Sequence, residues 1–180
     1  MALRALALLL VLALPAYAQA QDAGLSEMFA QLKAAPDAAA ASQLEQKIVT
    51  AWLDAATPAV RLLLESGMRA LAAHAPTEAA QDFDAATTLQ PTLAEAWSER
   101  ALAQFHAGDG AAAVADIAHA LTLDPQHFTA FETLSYIAEA RGDWAGALAA
   151  WQKVLAIDPA IAGGAKRLKV LERRALGQST

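Results

Sequence analysis

The chain of 180 residues contains no cysteine. That single absence removes disulfides, thiolate zinc sites and a lipid-modified N-terminal cysteine. Charge is also sparse: 18% of residues are Asp, Glu, Lys or Arg, and the balance is −6. An acidic balance speaks against nucleic acid as a partner, because phosphate binding needs a basic surface. Also missing are a G-x-S-x-G elbow, a Walker glycine loop and a dinucleotide fingerprint. The four histidines, His74, His106, His119 and His127, form no H-x-x-x-H or H-E-x-x-H pair. The signatures of nucleophilic, nucleotide-dependent and histidine–metal chemistry are therefore lacking, and no catalytic residue, metal or cofactor is expected. Apolar residues at 56% are too many for a disordered chain. Alanine supplies 50 residues, with nine Gly and seven Pro, which points to helices with punctuated ends.

The N-terminus reads as a secretory leader. Arg4 precedes an apolar run from Ala5 to Leu14 that ends at Pro15, and Ala16-Tyr17-Ala18 and Ala18-Gln19-Ala20 are both cleavage-site-like. The run is too short for a spanning helix, which needs about 20 apolar residues. Residues 1–20 are thus expected to be a signal peptide cleaved after Ala18 or Ala20. The mature protein is then periplasmic, with no stable membrane anchor.

The rest of the chain repeats with a period of 34. Pro91, Pro125 and Pro159 mark it, the last two within Leu123-Asp124-Pro125 and Ile157-Asp158-Pro159. In the same register fall the small residues Gly67, Ala101 and Ser135, and the alanines Ala79, Ala113 and Ala147. Phe83, Ile117 and Trp151 form a large apolar column, with Ala86, Ala120 and Val154 three residues on. Leu63, Trp97 and Phe131 head the first half of each unit, and Gly108-Asp109 and Gly142-Asp143 stand mid-unit. Small columns let helices approach, large ones plug the space between them, and Pro ends a helix. Asp109 and Asp143 suit helix N-caps, Thr57-Pro58 a helix start, and Thr92/Glu95 and Thr129/Glu132 have capping-box spacing.

These columns resemble the tetratricopeptide repeat (TPR), a helix–turn–helix unit of 34 residues. Three units cover residues 60–93, 94–127 and 128–161. The departures are Arg100 and Ser66 at usually apolar positions, and His74 in place of the mid-unit glycine. The implied fold is all-α: a right-handed α-solenoid of TPR hairpins. Residues 21–59 carry a Leu44, Ile48, Trp52, Ala55 stripe and read as a degenerate N-terminal hairpin capping the stack. Gly163-Gly164 opens a basic capping helix and tail over 162–180. There Leu168, Leu171 and Ala175 are expected to pack while Lys166, Arg167, Lys169, Arg173 and Arg174 stay wet.

The resemblance implies a concave groove lined by the first helix of each unit. Its partner-binding positions fall on Arg61, Leu64, Met68 and Leu71, then Glu95, Leu102, Phe105 and His106, then Glu132 and Tyr136, with Glu65, Ser98, Glu99 and Thr129 among their neighbours. This is an apolar strip with acidic shoulders, suited to a protein or peptide partner in the envelope. The family's carboxylate clamp uses Lys and Asn, and none of these positions holds either. Arg100 is expected to pair with Glu99 or Glu65. The four tryptophans sit at core-type positions. The N-terminal helix covering the groove is the competing reading. Charge is split along the chain, −11 over 21–161 and +4 over 162–180. Self-association through acidic body and basic end is therefore the alternative function, and an enzyme with a cryptic site the remotest.

Overall fold

The computed structural model describes residues 23–177; the expected leader, its cleavage sites and residues 178–180 lie outside the described residues. Within them all regular structure is helical. Helix α1 covers 23–33 and α2 covers Ala38–Asp54. Three hairpins follow: α3 (Pro58–Ala72) with α4 (Pro76–Leu89), α5 (Ala94–His106) with α6 (Gly110–Leu123), and α7 (Phe128–Ala140) with α8 (Trp144–Ile157). Helix α9, Gly164–Ala175, closes the end. None of the described helices is long and apolar enough to cross a membrane.

Each column of the repeat has a packing role. The alanines Ala79, Ala113 and Ala147 are fully buried, as is Phe83, with Ile117 and Trp151 nearly so. A Cβ on Gly67 would come within 2.5 Å of the Phe83 ring, so the first hairpin closes only around glycine. Two units on, Ser135 fills the same column and donates its hydroxyl to the Ala147 carbonyl at 3.0 Å. That bond satisfies a polar group that would otherwise be buried at a cost.

Helix ends follow local chemistry in part. Asp109 and Asp143 accept from Ala112 N and Gly146 N at 3.0 and 2.8 Å, as N-caps should. Pro58 stands in the first turn of α3. The two capping boxes do not form: the N-caps of α5 and α7 are Leu93 and His127, with no side-chain cap bond. Glu95 and Glu132 are drawn inward instead, into the acidic cluster described below. At the mid-unit turns, Gly108 and Gly142 have φ of 91° and 74°, and His74 in the same column has φ of 58°. A side chain in that left-handed region is strained by about 1–2 kcal/mol, part of which glycine's greater unfolded freedom cancels. His74→Gly is therefore expected to raise stability by about 0.5–1 kcal/mol, read as a higher denaturant midpoint. No gain would mean that the first turn relaxes around histidine.

At the C-terminal end Leu171 is fully buried against Trp151 and Val154, with Leu168 beside it. Ala175 is exposed, because the last turn of α9 runs on past Leu171 with nothing among the described residues packed over it. Arg167 also departs from expectation. It is half-buried, bonds Glu139 at 2.8 Å and Ser135 at 3.1 Å, and lies over the rings of Tyr136 and Trp151. Lys166, Lys169, Arg173 and Arg174 are exposed, with the Arg174 guanidinium over the Trp144 ring.

Candidate functional site

The N-terminal hairpin does not add a layer to the stack. Helix α2 packs on α5 and on the start of α7, across the first turns of the helices that line the concave face. Its stripe explains this. Ile48 is fully buried and Trp52 nearly so, in a cluster with Phe29 and Leu32 of α1 and with Phe128. The Trp52 indole stacks on the His127 imidazole, centroids 4.0 Å apart and planes 5° from parallel. Phe128 and Phe29 flank it at 5.3 and 6.2 Å. Ile157 and Ala160, beyond the last repeat helix, reach the same cluster.

The linker to α3 is pinned. Gln90 accepts from Thr57 N at 2.9 Å and donates to the Ala55 carbonyl at 3.0 Å. Arg61 donates to the Leu53 carbonyl at 2.9 Å and pairs with Asp54 at 2.5 Å. Arg61 is thereby taken up within the chain.

Under α2 lies a cluster of acids. Glu45 of α2 faces Asp158, and Glu132 lies within electrostatic reach of both. Burial, then the neighbouring Asp158, push Glu45 up to about 7. Burial, then Asp158, push Glu132 to about 7, against the pull of Arg167. Glu99 is raised to about 8 by burial and by neighbouring Glu95. Glu95 is itself buried, its Oε2 3.0 Å from His127 Nε2 but not aligned as a hydrogen bond. His127 Nδ1 is 3.1 Å from the Thr129 hydroxyl. Among the described residues no group of three or more His, Cys, Asp or Glu is arranged to hold a metal ion.

The expected groove is thus divided. Leu64 is fully buried in the first hairpin's core with Phe83, closed off from any partner. Glu95 and Glu132 are under or beside α2. Met68 and Phe105 are half-buried against the hairpin cores. Leu71, Leu102 and His106 are brought together: with His74 and Pro76 they line an open hollow of about 460 Å³ at the other end of the first helices. Tyr136 is exposed farther along, beneath Arg167. Sequence reasoning missed Glu45, His127 and Asp158. Asp158 repeats Asp124: each accepts from the backbone N–H two residues on, at 3.1 and 2.9 Å. Only at Asp158 does the α2 carboxyl arrive. Arg100 pairs with neither Glu99 nor Glu65; it binds Asp116 and Asp84, because its side chain turns away from the groove toward α4 and α6.

No protein-family model matches the chain. A TPR repeat-containing protein of Rhizobium etli is 30% identical over 156 residues, covering 87% of this chain and 76% of that protein. The chain belongs to the TPR family. Among solved structures similar to this TPR protein, the Sgt2 TPR domain of Aspergillus fumigatus is 25% identical, with a TM-score of 0.62 over 67% of this chain and 81% of that one. The first TPR of Spaghetti (RPAP3), bound to an HSP90 peptide, is 20% identical, with a TM-score of 0.63 over 68% and 99%. The α-solenoid of TPR hairpins is common to all three.

Proposed function

We propose that this TPR protein is a non-catalytic, periplasmic protein-interaction module that holds a peptide or helix against its concave face. The carrying observation is the hollow between Leu71, Leu102 and His106, an apolar recess left open beside the half of the face that α2 covers. Groove positions of neighbouring repeats converge there, as peptide recognition in a helical groove requires. The Spaghetti domain, similar in fold, is bound to an HSP90 peptide, which supports a peptide as the kind of partner. The leader-like segment at 1–20 supports the location.

Leu102 is the residue to charge, because it is half-exposed where Leu64 is core. Leu102→Asp is expected to abolish partner capture in periplasmic crosslinking while helical content stays unchanged. Mass spectrometry of the mature chain should find its N-terminus at Gln19 or Gln21. Capture unaffected by Leu102→Asp would move the binding surface off this hollow, and a retained Met1 would remove the export reading.

A further inference from the structure

Helix α2 fits its seat by shape and misfits it by charge. Ile48 and Trp52 are buried and Trp52 stacks on His127. Glu45, one turn before Ile48, instead meets Asp158 and Glu132. Asp158 Oδ2 is buried without a hydrogen-bond partner, and a Glu45 carboxylate has no proton to offer it. The surrounding charges do not correct this. Helix α5 adds Glu95 and Glu99, the start of α7 adds His127 and Glu132, and the end of α8 adds Asp158. Helix α9 supplies Arg167, already bonded to Glu139, and α1 carries only the exposed Glu27 and Lys33.

We propose that α2 is a displaceable stand-in, and that the partner exchanging with it is a basic amphipathic helix that sets an aromatic ring on His127 and a Lys or Arg in the place of Glu45. This rests on the reading of the concave face as a protein-binding surface and names the chemistry of its occupant. A cation there satisfies Asp158 and Glu132 at once, and a charge-assisted bond to a buried carboxylate is about twice as strong as a neutral one. Like charge at that point is the mismatch that keeps the stand-in exchangeable.

The seat also has a pH sense. Glu45 is raised in the folded chain where it meets Asp158, so its protonated form favours the seated state. Its contribution is complete below the ordinary carboxyl value of 4.5 and is lost as pH rises through about 7. A lysine on the incoming helix stays charged throughout that window, so exchange is favoured toward neutral and alkaline pH.

The test uses the full chain carrying Trp52→Ala, which loosens its own α2, and labelled synthetic peptides of residues 38–54 in two forms, native and Glu45→Lys. At pH of about 8, the Glu45→Lys peptide is expected to bind about tenfold tighter by fluorescence anisotropy, a difference of about 1.4 kcal/mol. That advantage should shrink at pH of about 5, where the native Glu45 takes up its proton. In the otherwise native chain, Glu45→Lys should raise the melting temperature at the higher pH, with Glu45→Gln intermediate. Equal binding of the two peptides would overturn the charge inference and leave the groove reading standing. Binding of neither peptide, with the repeats still helical by circular dichroism, would overturn the exchange at the α2 seat, whereas the hollow stands or falls with Leu102→Asp.

Discussion

Trp52→Ala should detach the N-terminal hairpin and leave the repeats folded. Trp52 is nearly buried at the centre of the cluster that joins α1 and most of α2 to the repeats, with His127 stacked on it and Phe128 beside it, while Leu53 at the linker end of α2 packs partly buried on the first hairpin's core. Truncating such a ring costs about 3–5 kcal/mol, from lost transfer free energy and the cavity left behind. The stack itself adds about 0.5–1.5 kcal/mol beyond area. The rest of the hold is thin. Among the described residues the Trp52 indole N–H has no acceptor, and Glu45 brings like charge. Beyond the apolar cluster, Gln90 and Arg61 grip only the linker end of α2. The hairpin cores of α3 to α9 contain none of the buried residues of α1 and α2. Hydrogen exchange should therefore show protection lost over residues 23–54 and retained over 58–175. Loss spread evenly over the chain would mean that α2 is a structural member of the solenoid.

The second large effect lies on the other side of the stack. Arg100→Ala is expected to destabilise the whole repeat array by about 3–5 kcal/mol, the usual cost of leaving a buried ion without its partner. The Arg100 guanidinium grips Asp116 with two bonds of 2.6 and 2.7 Å, and reaches Asp84 at 2.6 Å and the Thr87 hydroxyl at 3.0 Å. It also lies 4.6 Å from the centre of the Trp97 ring. Arg100 is 15% exposed and Asp116 9%, whereas Asp84 at 67% is wet and contributes little. One side chain thus ties α4, α5 and α6 across the boundary between two repeats. The Asp116 bond raises the Arg100 pKa above its ordinary value, so the guanidinium stays charged. Denaturant unfolding should give large losses for Arg100→Met and Asp116→Leu alone, and a much smaller loss for both together. Additive losses would show that the pair does not act as a unit.

The sequence made the repeat architecture legible because a period of 34 constrains many residues at once. Columns headed by Gly67, Ala79 and Phe83 could each be checked three times, and His74 fell where two glycines demanded a left-handed turn. The seat of α2 lacked any such redundancy. The stripe of Ile48 and Trp52 says that one face of α2 is buried, without saying against what. Its contacts with α7 and the end of α8 join residues about 75 to 113 apart in the chain, from Trp52–His127 to Glu45–Asp158, and each occurs once. Glu95 and Glu132 were misread for a related reason. Capping-box spacing is a local rule, and a buried acidic cluster assembled from four helices overrode it. The Arg100 network reaches 16 residues in each direction, a distance that only the stacking of hairpins turns into contact.

The linker between α2 and α3 has only three residues, 55–57. A helix on so short a leash returns to its seat as though present at a local concentration on the order of millimolar. An incoming helix must outcompete that concentration before it is held at all. If the leashed helix occupies the seat 99 parts in 100, every competitor's apparent dissociation constant rises by about a hundredfold. The leash therefore works as a threshold: abundant, weakly complementary helices are ignored, and only a strong match or a crowded array of matches gains entry.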